Sequence, residues 1–189
     1  MEVTRLTLLA TILAAYSSAG IITYDAALAG TNENPSNASP GTGFAIVTVN
    51  DVLNTMEVNV TFSGLTTGNT ASHIHCCVAP GGNAGVATIT PTFTGFPSGV
   101  TSGSYDHVFD LTSAGTYNPA FITLQGSVAS AESVLLAGLA ADLTYLNIHT
   151  TTFPGGEIRG FLVATPEPGT WLLSLAGLGV VWGAKRKLA

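Results

Sequence analysis

Charge is what this sequence has least of. Charged residues fill 8% of its 189 positions, against about 25% in an ordinary soluble domain. Four of its five basic residues sit near the ends, Arg5 at the front and Lys185, Arg186 and Lys187 at the back. Arg159 is the only base between them and stands against nine acids, a net of −8 for residues 21–165. This argues against nucleic acid as a partner, because phosphate neutralisation needs a basic face. A polyanionic partner is disfavoured for the same reason, whereas cations and neutral glycans are compatible. Cysteine is nearly absent too. The only two are neighbours, Cys76 and Cys77, so no bridge can join distant parts of the chain. No nucleophile elbow, glycine-rich phosphate loop or H-E-x-x-H pattern is found, and no spacing of Asp and Glu selects a glycosidase pair.

Long apolar runs occur only at the two ends. Residues 1–20 read as a secretory signal peptide: Arg5, the apolar run Leu6–Ala15, then the small residues Ser17, Ser18, Ala19 and Gly20. At the other end Pro166-Glu167-Pro168 precedes the apolar run Gly169–Ala184 and the basic triplet Lys185-Arg186-Lys187. As a helix that run of 16 residues covers about 24 Å, slightly short of the ~30 Å hydrocarbon core. Trp171 and Trp182 suit the two interfaces, and the triplet suits a cytoplasmic end. A C-terminal transmembrane helix is therefore expected across residues 169–184. The order of the three parts in segment 165–189 resembles the PEP-CTERM sorting signal of Gram-negative bacteria. That resemblance implies an exosortase-type processing enzyme acting at Pro166, Glu167 and Pro168. It also implies export, tethering in the inner membrane before processing, then residence at the cell surface or in an exopolysaccharide matrix.

Between the ends, residues 21–164 form one domain with a core of its own. Its 22 glycines belong to the whole chain, and Thr, Ser and Asn fill its polar positions, the composition of an exported β-protein rich in turns. Met56, Val58, Val60 and Phe62 alternate with Glu57, Asn59 and Thr61, the period of a half-buried strand. Further strands are expected at Ile21–Leu28, Gly43–Val49, Ser72–Val78, Val86–Thr92, Ser104–Leu111, Leu143–His149 and Glu157–Val163. One short helix is expected at Ala129–Leu139. The fold class is all-β: an antiparallel β-sandwich or Greek-key barrel.

Chemistry concentrates in Ser72-His73-Ile74-His75-Cys76-Cys77 and in Tyr145-Leu146-Asn147-Ile148-His149-Thr150. On a strand His73 and His75 share a face. His149 from a second strand would complete a three-imidazole site for Cu or Zn, with Cys77, water or a carboxylate in the fourth position. Against this stands a purely structural role, in which the rings hydrogen-bond backbone groups. The order His73, His75, His107, His149, Arg159 is similar to the copper ligands and arginine of Cu/Zn superoxide dismutases. The chain's four histidines are too few for that bimetallic site, so only a copper-only variant fits the count. Cys76 and Cys77 have three readings: a vicinal disulfide, thiolate ligands, or two small apolar groups. Glu157 and Arg159 are expected to share a strand face as a salt bridge fixing the last hairpin.

The His73–His75 motif followed by a Gly-rich loop, with Tyr145–Thr150 and then Pro154-Gly155-Gly156-Glu157-Ile158-Arg159-Gly160, resembles the CHRD domain, named from the animal protein chordin and widespread in exported microbial proteins. The chain departs from the usual pattern in carrying Cys76-Cys77 where many members have Gly. The resemblance implies an extracellular β-domain with a binding or structural role and supplies no catalysis. The alternative role is a metal-binding or redox domain built on His73, His75 and His149.

Overall fold

The computed structural model describes residues 20–165. The expected signal helix, apart from Gly20, and the tail from Pro166 with its expected transmembrane helix lie outside the described residues. Alternating side chains build the first strands: β1 (Ile21–Ala29), β2 (Thr42–Asn50) and β3 (Thr55–Ser63). In β3 every second residue is buried, from Met56 through Phe62, as the period-2 pattern predicts. The β2–β3 turn follows from local chemistry. Asn50 Oδ1 accepts the N–H groups of Val52 and Leu53, and Asn54 takes the left-handed conformation at φ 50°.

Then come β4 (Asn69–Cys76), β5 (Gly103–Asp110), α1 (Pro119–Gln125), α2 (Val128–Ala140), β6 (Thr144–Thr150), β7 (Ile158–Phe161) and β8 (Val163–Ala164). All strands join one antiparallel sheet in the order β4-β6-β7-β1-β2-β3-β5, with β8 also on β1. The expectation of a mostly antiparallel β-domain is met. The hydrogen bonding runs through a single sheet that curls, sandwich-like, around one core as a half-barrel. Two short helices fill the side that a separate second sheet would occupy, sending Phe121, Ala131, Leu135 and Leu139 into that core.

Two elements differ from expectation. Helix α1 is additional. Asn118 caps it by accepting the Ala120 N–H, Pro119 stands in its first turn, and Gly126 at φ +92° ends it. Residues 86–92 make no strand, only bridges from Val86 to His75 and from Thr88 to Tyr117. Pro91 has no N–H to give a ladder, and the segment instead lays Ala87 and Phe93 into the core.

The sheet has two kinds of territory. The outer faces of β1, β2, β3 and β5 are largely open, with Phe44 and Val108 exposed. By contrast β4, β6 and β7 are buried on both faces. Loops 30–41, 77–84 and 151–157 border this part of the sheet, and residues 85–93 run along the free edge of β4, hydrogen-bonded to Cys76, Ile74 and Ser72.

The expected Glu157–Arg159 pair is not formed. Strand β7 begins at Ile158, and Glu157 lies in the bend before it, next to Gly156 at φ +134°. Fully buried, its carboxylate accepts hydrogen bonds from the Ser39 hydroxyl (2.6 Å), the Thr66 N–H (2.7 Å), the Thr66 hydroxyl (3.0 Å) and the Thr150 hydroxyl (2.6 Å). Arg159 instead faces Glu33 at 3.8 Å and donates to Asn32 O, Gly82 O and Asn83 Oδ1. Burial pushes the Glu157 pKa up, but its hydrogen bonds outweigh burial and hold it below the usual value.

Removing that anchor leaves four donor contacts without an acceptor, so Glu157→Ala should cost about 3 kcal/mol or more in urea unfolding at neutral pH. A lowered carboxylate pKa stabilises the fold above its unfolded value of about 4.3, and the contribution is lost as pH falls through the folded value. Glu157→Gln should therefore flatten the loss of stability below that pH. An unchanged acid limb in the variant would show that Glu157 is not the anchor.

Candidate metal centre

The register of β4 against β6 brings the histidines together. Ser72, Ile74 and Cys76 turn to the core side, which leaves His73 and His75 on the covered face. Antiparallel pairing sets Ala71 opposite His149, His73 opposite Asn147 and His75 opposite Tyr145. The ring centroids lie 5.7 Å (His73–His75), 5.1 Å (His73–His149) and 6.0 Å (His75–His149) apart. One ring nitrogen from each falls within 4.8 Å of the other two. In a tetrahedral set with ~2.0–2.1 Å bonds, ligand nitrogens stand about 3.3 Å apart, so ring rotations on the order of 1 Å close the site around an ion.

Each imidazole is held by a backbone carbonyl of a covering loop. Nε2 of His73 bonds Pro91 O, Nδ1 of His75 bonds Ala84 O at 2.9 Å, and Nδ1 of His149 bonds Pro154 O at 3.0 Å. A carbonyl only accepts, so in each ring that nitrogen carries the hydrogen. The other three, Nδ1 of His73 and Nε2 of His75 and His149, are buried without any partner. Burial drives the pKa of His73 and of His75 down to about 4, against the opposing pull of their carbonyl partners, and lowers that of His149 likewise. The neighbouring imidazoles push His73 and His75 further down. At neutral pH the rings are uncharged, and each keeps one buried nitrogen without a hydrogen-bond partner. A cation satisfies all three at once, and the carbonyl bonds fix tautomer and ring orientation as outer partners do around bound metals.

The surroundings extend this polar layer. The Tyr145 ring stacks on His75 at 4.6 Å, and the Arg159 guanidinium lies 4.6 Å over Tyr145. Asn147 lies between His73 and Arg159 in cross-strand register. Burial raises Glu33 to about 7, with Arg159 and a hydrogen bond from Asn147 pulling the other way. Glu33 was not singled out by sequence reasoning: a lone acid in a loop of Asn, Ser and Pro carries no spacing signal. The three carbonyl anchors were equally invisible there, since any residue supplies a carbonyl.

The other expected residues fall elsewhere. His107 lies on β5, at the far end of the sheet from β4, packed on Phe109 at 4.6 Å. The four-histidine order of a copper-only dismutase is therefore not assembled. Cys76 and Cys77 are bonded to each other, and their sulfurs lie against α2 at Gly138, where a Cβ would meet both. They take no part in the histidine cluster.

The family model for the CHRD domain matches residues 24–162. No curated protein and no solved structure matches the chain.

The metal-free protein should lose stability as pH drops from about 6.5, the unfolded histidine value, toward the folded value of about 4 for His73 and His75. Over that window these rings make the unfolded chain bind more protons, so their contribution rises with pH and is complete above it. Glu33, raised to about 7, titrates in the opposite sense, so the profile is taken in a Glu33→Gln background. The charged and titratable groups facing the rings are the three imidazoles themselves and, beyond Tyr145, Arg159. A fall of several kcal/mol in denaturant titrations is expected. A flat profile between these limits would mean the rings are solvated in solution.

Proposed function

The chain belongs to the CHRD-domain family, and from its converging imidazoles we propose that it is an exported binding domain that holds one copper or zinc ion through His73, His75 and His149. The observation that carries this is the clustering of the three rings together with the division of labour within each: one nitrogen spent on a carbonyl, the other buried and unpartnered. Three neutral imidazoles with no thiolate among them suit copper or zinc. Carboxylates play no part in the donor set, which disfavours calcium and magnesium. The fourth position belongs to water or an exogenous group. Such an ion would also tie loop 77–92 and loop 151–157 to β4 and β6, because the same rings already anchor Ala84, Pro91 and Pro154. The role proposed is binding and structural.

The setting is proposed from the two ends. An N-terminal export segment and a Pro166-Glu167-Pro168 tail with an apolar run at 169–184 support inner-membrane tethering, processing by an exosortase-type enzyme, and final placement at the surface or in an exopolysaccharide matrix. The poverty of charge in the domain is consistent with that setting.

Elemental analysis of protein purified without a histidine tag is expected to find one Cu or Zn per chain. His75→Ala should reduce this to background while the far-ultraviolet dichroism and a cooperative melt persist. Free metal at 100 times Kd should add about 2.7 kcal/mol to stability. Failure to take up either ion after reconstitution would remove the metal reading. Separately, deleting residues 166–189 should send the chain to the medium unprocessed, and unchanged location would reject the sorting proposal.

A further inference from the structure

Loop 30–41 and loop 77–92 stand apart over β1 and β7 and leave a cleft of about 590 Å³. Their positions are set by hydrogen bonds between them. Asn34 Nδ2 donates to Gly81 O at 2.7 Å, and Asn83 Nδ2 donates to Asn34 O at 2.8 Å. Arg159 pins the second loop from beneath through Gly82 O and Asn83 Oδ1. The cleft is therefore formed before any ligand arrives, as binding sites usually are.

Its lining combines one aromatic surface with neutral polar groups. Phe161 is half-buried and contributes its ring, held by Tyr145 at 5.2 Å. Thr31, Asn34 and Ser36 are exposed on the rim. Glu33 also borders the cleft, but it is 9% exposed and its buried Oε1 lies beside Gly156 and Asn147, closed off from the space. No basic side chain lines the space: the Arg159 guanidinium is 1% exposed and engaged by Asn32 O, Gly82 O and Asn83 Oδ1.

We propose that this cleft binds a neutral glycan, one pyranose ring lying on Phe161 with its hydroxyls bonded to Asn34, Thr31 and Ser36. The apolar C–H face of a sugar ring packs on an aromatic ring, and its hydroxyls both donate and accept, so they suit an amide and hydroxyls alike. A cleft of this size holds about two hexose units and is open enough to admit a chain interior. An anionic glycan is disfavoured by the net −8 of residues 21–165. The inference goes beyond the metal reading and does not require the ion.

The test uses the full chain, solubilised in a detergent without a sugar headgroup. Mobility is measured in native gels containing dextran, a mixed-linkage β-glucan or a galactomannan, with alginate as the acidic probe. At least one neutral polysaccharide should retard the protein, and alginate should not. Phe161→Ala should weaken the retardation at least about tenfold. Thr31→Trp, which fills the cleft from an exposed position, should do the same with melting temperature and metal content unchanged, which guards against a folding defect in the first variant. No retardation by any of the three neutral polymers overturns the proposal, as does equal retardation of Thr31→Trp and the parent, or preference for alginate. If the metal reading alone is wrong, metal is absent while retardation and its loss in Thr31→Trp persist.

Discussion

The antiparallel register between β4 and β6 is the constraint on which the rest depends. With His73 opposite Asn147 and Ala71 opposite His149, the imidazoles share one face and Ile74, Leu146 and Ile148 share the other. A slip of one residue would send imidazoles to the core and aliphatic groups to the polar layer. The aliphatic side holds the register: Ile74, Leu146 and Ile148 are all fully buried, each worth about 1.5–3 kcal/mol on transfer from water. The polar side is then arranged for free, by the alternation of the strand.

Covering that polar face creates the chemistry. An exposed His-x-His pair is an ordinary surface feature, whereas the same pair under loops loses water and must find partners from protein. The loops supply acceptors only, at Pro91, Ala84 and Pro154. Each ring is thereby fixed as a neutral tautomer with its remaining nitrogen buried and unpartnered. Desolvation keeps the rings from protonating to satisfy themselves. Register, cover and carbonyl placement together gather three neutral imidazoles into one buried cluster.

The two carboxyl groups of this half of the molecule show how partners decide the outcome of burial. Glu157 is enclosed by hydroxyls and an N–H that all donate to it, and its charge is favoured. Glu33 has a guanidinium at 3.8 Å and an amide, but one oxygen is unpartnered, and desolvation prevails. The first therefore works as a fastener between loops 30–41 and 64–68 and strand β6. The second stays enclosed beside Gly156 and Asn147, with its charge disfavoured.

Local periodicity was sufficient for much of this. The alternation from Met56 to Phe62 settled strand β3 and its buried face, and His73-x-His75 settled that two rings share a side, because both rest on the two-residue repeat of an extended chain. The family likewise rests on short contiguous motifs, matched over residues 24–162. Tertiary structure decided what depends on the meeting of distant segments. Residues 86–92 have strand-like side chains, yet Pro91 and the core contacts of Ala87 make them a cover. Glu157 and Arg159 are near neighbours in sequence, but Gly156 turns the chain between loop and strand, and each finds a partner more than 75 residues away, at Ser39, Thr66 or Asn32. The same holds for the histidine cluster: sequence determined which rings could converge, and the three carbonyls of the covering loops decided which nitrogen of each ring carries the hydrogen.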